Sequence, residues 1–279
     1  MRWKGRREST NVEDRRRISP KGIVGGGIGG VVILIVVMLL GGDPSSLLQN
    51  LQEGSQTATG YTETAEDKEL AQFVSVVLAE TETVWHEIFT EAGVTYREPK
   101  LVLFNGRVES ACGIAGSATG PFYCPGDEKL YIDLSFYDEL QRQFKAPGDF
   151  AMAYVIAHEV GHHIQNLTGI MEEVQAMRSQ LSEKEYNRLS VRLELQADFY
   201  AGVWAHYTKR SDLLEEGDLE EALNAASAVG DDRIQKNTQG YVIPDAFTHG
   251  TSEQRKRWFY KGYNTGDINE GNTFGTDNL

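Results

Sequence analysis

The sequence predicts an α+β fold that is mostly helical, contains a small sheet and is preceded by one transmembrane helix. Apolar residues recur at intervals of three and four from Glu66 to Phe89, and the chain from Asp149 onward has the same helical periodicity almost to its end. Short apolar runs, typical of strands, lie between these two regions. An uncharged stretch over residues 22–42 comes before all of them and predicts the membrane helix.

Charge divides the chain into two unlike parts. The 279 residues have a formal net charge of −14 and a sequence pI near 4.9. Residues 1–21 contain eight basic and three acidic side chains, a balance of +5, so residues 22–279 carry −19. The acidic majority argues against nucleic acid as a partner, because phosphate binding needs clustered lysine and arginine.

The uncharged stretch over residues 22–42 is long enough to cross a bilayer. As a helix its 21 residues would reach about 30 Å, which is one hydrocarbon thickness. A buried core helix is one alternative, and a cleaved signal peptide is a stronger one, although no Ala-x-Ala cleavage site follows. We therefore expect an uncleaved anchor in the cell membrane. The basic cluster before it predicts a cytoplasmic amino terminus and an extracytoplasmic remainder, periplasmic or at the cell surface.

We expect four segments: a basic cytoplasmic tail (residues 1–21), a transmembrane helix (22–42), a flexible tether (43–65) and an extracytoplasmic domain (66–279). The tether is rich in Gln, Ser, Thr and Gly and has little periodicity. Glycines in the span include G-x-x-x-G spacings that could pack two spans into a homodimer. They could equally be small residues without that role.

Local signals locate the strands and helices of the domain. Lys100–Phe104 and Lys129–Leu134 read as strands. The second strand is expected either at an edge of the sheet, where an extended peptide substrate could pair with it, or inside the sheet. Two capping boxes should begin later helices: Ser182-x-x-Glu185 and Thr251-x-x-Gln254.

Cys112 and Cys124 are the only cysteines. In an oxidising compartment, two cysteines that close so short a loop favour a disulfide, worth about 3 kcal/mol on the loop-entropy model. Both could instead be unpaired and buried. A zinc site built on cysteines is not expected, because there is no second pair.

The strongest chemical signal is the segment His158–His162, which reads His-Glu-Val-Gly-His and matches the pattern H-E-x-x-H. Residues four apart project from one helix face, so both imidazoles can bind one metal ion. Glu159 lies at the rim of that face, where it can reach a metal-bound water as a general base. The pattern alone is suggestive, since a polar helix face with hydrogen-bonded histidines would give the same spacing.

A hydrolytic zinc site needs three protein ligands and an open position for water. A third histidine would have to stand at Thr168, with a glycine where Gln165 lies, so the three-histidine class is excluded. Glu194 and Asp198 offer another solution, because they share one face of a later predicted helix. The first can bind the ion while the second accepts the free ring N–H of a ligand histidine.

These residues resemble the glutamate-type zincin metallopeptidases, whose pattern is H-E-x-x-H followed by E-x-x-x-D. More narrowly, the sequence resembles the bacterial putative neutral zinc metallopeptidase family, whose members are membrane-anchored. The resemblance spans roughly Val108 to Gly262 and lies in the segments SACG, GPFYCP, YIDLSFYDEL, HEVGHHIQ, ELQADFYAG and THGTSEQRKRWFYKG.

The resemblance implies a zincin-like metallopeptidase domain that holds one Zn²⁺ ion. By this match, His158, His162 and Glu194 are the zinc ligands, Glu159 is the general base and Asp198 is the partner of a ligand histidine. Zinc lowers the pKa of a bound water to about 7 and polarises a scissile carbonyl. Glu159 would carry a proton from that water to the leaving amine.

The oxyanion formed in peptide hydrolysis needs a donor besides the metal. His249 is the first candidate for this catalytic role, because Gly250 allows close backbone approach just before the last predicted helix. Three other residues are alternatives: Arg255, Tyr200 and His206. His163 is expected to serve packing or lie at the surface, with a role in substrate binding as the alternative, and His86 is expected to be structural.

The leading hypothesis is a membrane-anchored zinc-dependent peptidase that hydrolyses peptide or protein substrates outside the cytoplasmic membrane. The alternative is a non-hydrolytic domain that keeps zinc for stability and binds a partner protein at the membrane surface. Glu159 favours the enzyme, because structural zinc needs no adjacent base and has no open position.

Overall fold

The computed structural model describes residues 1–17 and 61–279. Its α-helices are α1 Ala65–Glu91, α2 Ser135–Arg142, α3 Asp149–Leu167, α4 Ile170–Ala176, α5 Glu183–Arg210, α6 Asp218–Ala228, α7 Asp231–Gln239 and α8 Ser252–Thr265. Its strands are β1 Val12–Asp14, β2 Lys100–Phe104, β3 Arg107–Ser110, β4 Gly113–Gly116, β5 Phe122–Cys124 and β6 Lys129–Asp133. The mostly helical α+β prediction is thereby confirmed.

The predicted transmembrane helix, its dimer contact and most of the predicted tether lie outside the described residues. Within residues 1–17 and 61–279, no helix combines the length and the apolar character that a bilayer crossing requires. The membrane anchor therefore stays a prediction from the sequence.

One sheet has four strands in the order β1-β2-β6-β5, and β3 and β4 form a separate hairpin. Strand β2 is parallel to both β1 and β6, whereas β5 is antiparallel to β6. The edge position considered for Lys129–Leu134 is wrong, because this strand ends at Asp133 and has a neighbour on each side. Its outer neighbour is β5, a strand of 3 residues that places Tyr123 opposite Leu130. So short a strand gives almost no periodic signal in the sequence.

The capping signals mark the true starts of two long helices. The structure has both predicted capping boxes: Ser182 with Glu185 at the start of α5, and Thr251 with Gln254 at the start of α8. Helix α1 has a further box, in which Thr64 accepts from the Asp67 backbone N–H and the Asp67 side chain accepts from Thr64. The reciprocal bonds satisfy backbone donors that a helix otherwise leaves free.

Cys112 and Cys124 form a disulfide, as the sequence predicts. Cys112 lies in the turn between β3 and β4, and Cys124 ends the edge strand β5. The bond therefore ties the hairpin to the main sheet.

Residues 1–17, which we call the amino-terminal segment, pack against the rest of the domain. Met1 and Trp3 are buried in the same apolar core as α1 and α3, and the Trp3 ring meets Phe73 edge-on at 5.5 Å. Strand β1 pairs with Leu101–Leu103 of β2. In its described part, the predicted tail is thus not separate from the domain but contributes one strand and two core residues to it.

Helices α5 and α8 approach closely because each has a glycine at the contact. A Cβ atom added to Gly202 would lie 2.0 Å from the carbonyl oxygen of Phe259, and one added to Gly262 would clash with the α5 backbone in the same way. The close contact brings Asp198 on α5 opposite Arg255 on α8.

Candidate metal centre

The H-E-x-x-H residues lie on α3 at the point where it crosses α5. Gly161, inside the motif, makes this crossing close: a Cβ atom there would lie 2.9 Å from the carbonyl oxygen of Ala197. Any larger residue would push the two helices apart. Because Glu194 lies just before Ala197 on α5, the crossing sets it opposite His158 and His162.

His158, His162 and Glu194, which we call the ligand group, offer donor atoms that all lie within 4.8 Å of one another. The Nε2 atom of His158 is 3.2 Å from Glu194 Oε2, and the Nε2 atom of His162 is 3.5 Å from Glu194 Oε1. The side chains are between 8% and 17% exposed. The structure therefore brings together the three residues that the sequence suggests as metal ligands.

Hydrogen bonds on the other ring nitrogens orient both imidazoles. His158 Nδ1 lies 2.8 Å from Asp198 Oδ1, and His162 Nδ1 lies 2.9 Å from the side-chain oxygen of Gln165. Both partners accept, so a neutral ring carries its proton on Nδ1 and presents the Nε2 lone pair to Glu194. Two imidazole nitrogens and one carboxylate oxygen form a donor set that zinc takes in hydrolytic sites, and these residues fit the ion.

Asp198 is fully buried and accepts hydrogen bonds from three side chains. Besides His158, these are the Tyr154 hydroxyl at 2.5 Å and Arg255, whose Nε and Nη2 lie 2.8 and 3.0 Å from the two carboxylate oxygens. Burial raises the pKa of Asp198, but the charges of Arg255 and His158 outweigh it, and the pKa is lowered. Arg255 is thus engaged behind a ligand histidine, which speaks against its alternative role as an oxyanion donor.

The charges of the site favour a bound cation. Burial lowers the pKa of His158, but the Asp198 charge and hydrogen bonds from Asp198 and Glu194 prevail and raise it to about 9. Burial disfavours the charged form of Glu194 too, yet nearby His162 and His249 hold the pKa of Glu194 well below its usual range. Metal binding at His158 must therefore displace a proton at neutral pH.

Glu159 follows the first histidine on α3, and only 8% of its surface is exposed. Among residues 1–17 and 61–279, no group hydrogen-bonds to its carboxylate. A carboxylate with so little competition from protein donors can accept a proton or a hydrogen bond from water or substrate.

His249 lies in the loop before α8, and Asp231 holds it there. One oxygen of Asp231 accepts from the backbone N–H groups of Thr248, His249 and Gly250 at 2.8, 2.6 and 3.0 Å, and the other lies 3.2 Å from His249 Nδ1. The imidazole is 50% exposed. Desolvation lowers the pKa of His249, but the charge of Glu194 and the bond to Asp231 raise it more. His249 is therefore within electrostatic reach of the ligand group.

The contacts of the other two oxyanion candidates are with other parts of the domain. Tyr200 is buried edge-on against Trp85, with ring centroids 5.6 Å apart. His206 lies near the end of α5, and its Nδ1 atom is 2.8 Å from the carbonyl oxygen of Tyr263 in α8. Neither contact involves the ligand group.

His163 has the packing role considered for it. Its ring is fully buried, with Nδ1 3.0 Å from the Tyr123 hydroxyl and Nε2 2.7 Å from the Arg97 carbonyl oxygen. Burial lowers the pKa of His163, which suits a neutral ring that donates from Nε2. His86 is half-exposed and pairs with Glu98 at 2.8 Å.

Residues 1–274 match the family described as putative neutral zinc metallopeptidase. The chain belongs to this family. The uncharacterized protein YpfJ of Escherichia coli (strain K12) is 51% identical over 285 residues, which cover 99% of each chain. The uncharacterized protein Rv2575 of Mycobacterium tuberculosis is 45% identical over 195 residues, or 66% of this chain and 65% of that protein. No solved structure matches the chain, so the zincin-like fold stays a prediction.

Four residues that hold the site residues by hydrogen bonds were not predicted in that role from the sequence: Tyr154, Gln165, Asp231 and Arg255. Spacing could have indicated the first two, since they lie four residues before His158 and three after His162 on one helix. Asp231 and Arg255 reach the site from other helices, and no local pattern marks such contacts.

Proposed function

We propose that this protein is a zinc-dependent peptidase. The ligand group carries the proposal: two imidazole Nε2 atoms face one carboxylate, and both rings are fixed by acceptors on Nδ1. Membership of a family described as zinc metallopeptidases supports the same conclusion. The proposed substrate is a peptide or protein.

His158, His162 and Glu194 would hold the ion. A zinc ion bound there would supply a Lewis acid for the scissile carbonyl and a water of lowered pKa. Asp198 and Gln165 keep each imidazole proton on Nδ1, so that Nε2 remains a lone-pair donor. Arg255 neutralises the buried charge of Asp198 and keeps that carboxylate ionised.

Glu159 is proposed as the general base. It takes a proton from the attacking water and delivers it to the nitrogen of the leaving amine, a contribution typically of about 10²–10⁴-fold in rate. Its freedom from hydrogen bonds to described residues supports this role, because a carboxylate held by protein donors would be a weaker base.

His249 is proposed as the donor to the oxyanion. Asp231 accepts from the backbone of this loop and contacts His249 Nδ1, so His249 Nε2 is the ring nitrogen left to donate to the oxyanion. A raised pKa favours the protonated ring, which is the stronger hydrogen-bond donor. Loss of one such donor costs roughly 10²–10³-fold in kcat in enzymes where this has been measured.

The protein is also proposed to work in an oxidising compartment outside the cytoplasm. The disulfide between Cys112 and Cys124 supports this location, since disulfides are rare in reducing compartments. Attachment to the membrane through residues 22–42 belongs to the same proposal and rests on their apolar sequence.

The deciding experiment compares Glu159→Gln with wild type in a peptide-library cleavage assay and in elemental analysis for zinc. We expect cleavage to fall by at least about 10²-fold while zinc content is unchanged. Glu172→Gln, on the exposed side of α4, is the matched control and should cleave like wild type. A wild type that holds zinc but cleaves no peptide would instead favour the non-hydrolytic binding domain.

A further inference from the structure

The basic residues of the amino-terminal segment face carboxylates of the main domain, residues 61–279. Each of them except Arg15 forms an ion pair with that domain. The pairs are Arg2 with Asp212, Lys4 with Glu69, Arg6 with Glu80, Arg7 with Glu82, and both Arg16 and Arg17 with Glu63. The cluster that predicts a cytoplasmic tail is therefore complementary in charge to the acidic domain.

The chain's first residue is held by a second set of carboxylates. The α-ammonium group of Met1 lies 2.9 Å from Asp149, 3.1 Å from Glu215 and 3.3 Å from Asp218, and it is fully buried. We call these three acidic residues the amino-terminal cluster. Asp149 is the first residue of α3, the helix that carries His158 and His162. The amino terminus thus contacts the active-site helix directly.

Arg16 and Arg17, which precede residues 18–60, lie beside Tyr61 and Glu63, which follow them. Arg16 is buried, and its guanidinium donates to the Tyr61 hydroxyl at 2.8 Å and to Glu63 at 2.8 Å. Arg17 donates to the other oxygen of Glu63 at 2.7 Å. The described residues on either side of residues 18–60 therefore lie at one place on the domain.

The packing of residues 1–17 into the same sheet and core as residues 61–279 conflicts with a single membrane crossing between them. Segments that share one sheet and one core lie on the same side of a membrane. A transmembrane helix needs about 20 residues, so residues 22–42 supply one crossing, and one crossing would put their two ends on opposite sides. Docking of the amino-terminal segment and a single-pass anchor exclude each other.

We propose that the amino-terminal segment and the candidate metal centre lie on the same side of the membrane, docked against each other. The family match begins at residue 1, so the segment is part of the shared family sequence. This proposal concerns topology and does not rest on peptidase activity.

Cysteine labelling of the full chain in a bacterial host tests the shared side. Lys4→Cys probes the amino-terminal segment and Tyr241→Cys probes the domain, at residues that are 73% and 61% exposed. Spheroplasts are treated with a membrane-impermeant maleimide before or after lysis, and a denatured sample gives the total. We expect both cysteines to label under the same condition. Labelling of one before lysis and of the other only after lysis would overturn the proposal.

A cross-linking experiment tests the docking itself. Lys4→Cys is combined with Glu69→Cys, since the native side chains pair at 2.6 Å, and membranes are treated with a short thiol–thiol reagent. We expect a cross-link between the two positions. Arg16→Glu, at a buried contact, should lower its yield several-fold, whereas Arg17→Glu, 70% exposed, should change it little. The absence of any cross-link in the double variant would overturn the docking.

Discussion

Two side-chain clusters that contain carboxylates lie along helix α3, and the carboxylate charges are balanced in different ways in the two. The amino-terminal cluster, at the start of the helix, surrounds an ammonium group that belongs to the chain. In the ligand group, at the middle of the helix, Glu194 faces two imidazoles. No lysine or arginine within the described ranges forms an ion pair with Glu194.

Comparison of the two clusters shows which features distinguish a candidate metal site from a group of neighbouring carboxylates. Asp149, Asp218 and Glu221 lie as close together as metal ligands do, but they offer only oxygens, and the first two already bind the Met1 ammonium. The ligand group offers two nitrogens and an oxygen, and outer acceptors fix both nitrogens. Donor chemistry and outer hydrogen bonds, rather than the number of nearby carboxylates, therefore distinguish the candidate metal centre.

The largest difference in zinc affinity should be between a substitution of Glu194 in the ligand group and one of Asp149 in the amino-terminal cluster. Glu194→Gln should weaken zinc binding by more than the roughly 10- to 100-fold that loss of an outer partner costs, because it removes a ligand. Asp149→Asn should leave zinc binding at the wild-type level. Competition with a chelator and elemental analysis measure both. Equal loss of zinc in the two variants would remove the distinction between the groups.

A substitution of Arg255 tests how much its ion pair with Asp198 stabilises the fold when no metal is bound. Arg255→Met breaks the buried ion pair with Asp198 and leaves that carboxylate with His158 as its remaining cationic partner; loss of one partner of a buried pair typically costs about 3–5 kcal/mol of unfolding free energy. The measurement is denaturant unfolding with excess chelator present, so that zinc does not contribute. Arg257→Met, in an exposed position of the same helix, is the control and should change stability little. Equal effects would show that the ion pair is not a structural requirement.

The sequence predicted what is local in this molecule and missed what is not. His158, Glu159 and His162 could be grouped because a helix repeats every 3.6 residues, and Glu194 with Asp198 for the same reason. Arg255 could not be assigned to Asp198, because their contact depends on the crossing of α5 and α8.

The amino-terminal segment shows the same limit more strongly. In the sequence its basic residues fit a topology signal. Their contacts with carboxylates are not visible there, because those carboxylates lie far along the chain. A strand of 3 residues such as β1 or β5 has too few positions for a pattern to be recognised. The contacts that these residues make in the folded domain could not be predicted from composition.

Asp198→Asn should have an intermediate effect on the ligand group. The amide is a weaker acceptor for the His158 Nδ1–H than the carboxylate, and loss of such an outer partner costs about 10- to 100-fold in metal affinity, or about 1.4–2.8 kcal/mol. Chelator competition measures the change. Asp245→Asn, 59% exposed, serves as the control. An unchanged affinity would mean that Asp198 does not tune the ligand histidine.

The amino-terminal cluster should produce the smallest effect, visible as a pH dependence of stability. Burial lowers the pKa of the Met1 ammonium, but its carboxylate partners outweigh this and raise the pKa from 8.0 to about 10 on folding. A pKa raised by folding gives stability that is complete below pH 8 and is lost as the pH rises toward 10. Asp218→Asn removes one partner and should cost about 1–2 kcal/mol at pH 7.

The same variant should flatten the loss of stability between pH 8 and 10, because less of it depends on the charged ammonium. Denaturant unfolding at a series of pH values measures this, and Asp212→Asn, 80% exposed, is the matched control. Zinc affinity should stay at the wild-type level, since the ligand group keeps all its partners. A pH profile identical to that of wild type would mean that the contact between Asp218 and the ammonium group contributes nothing to the fold.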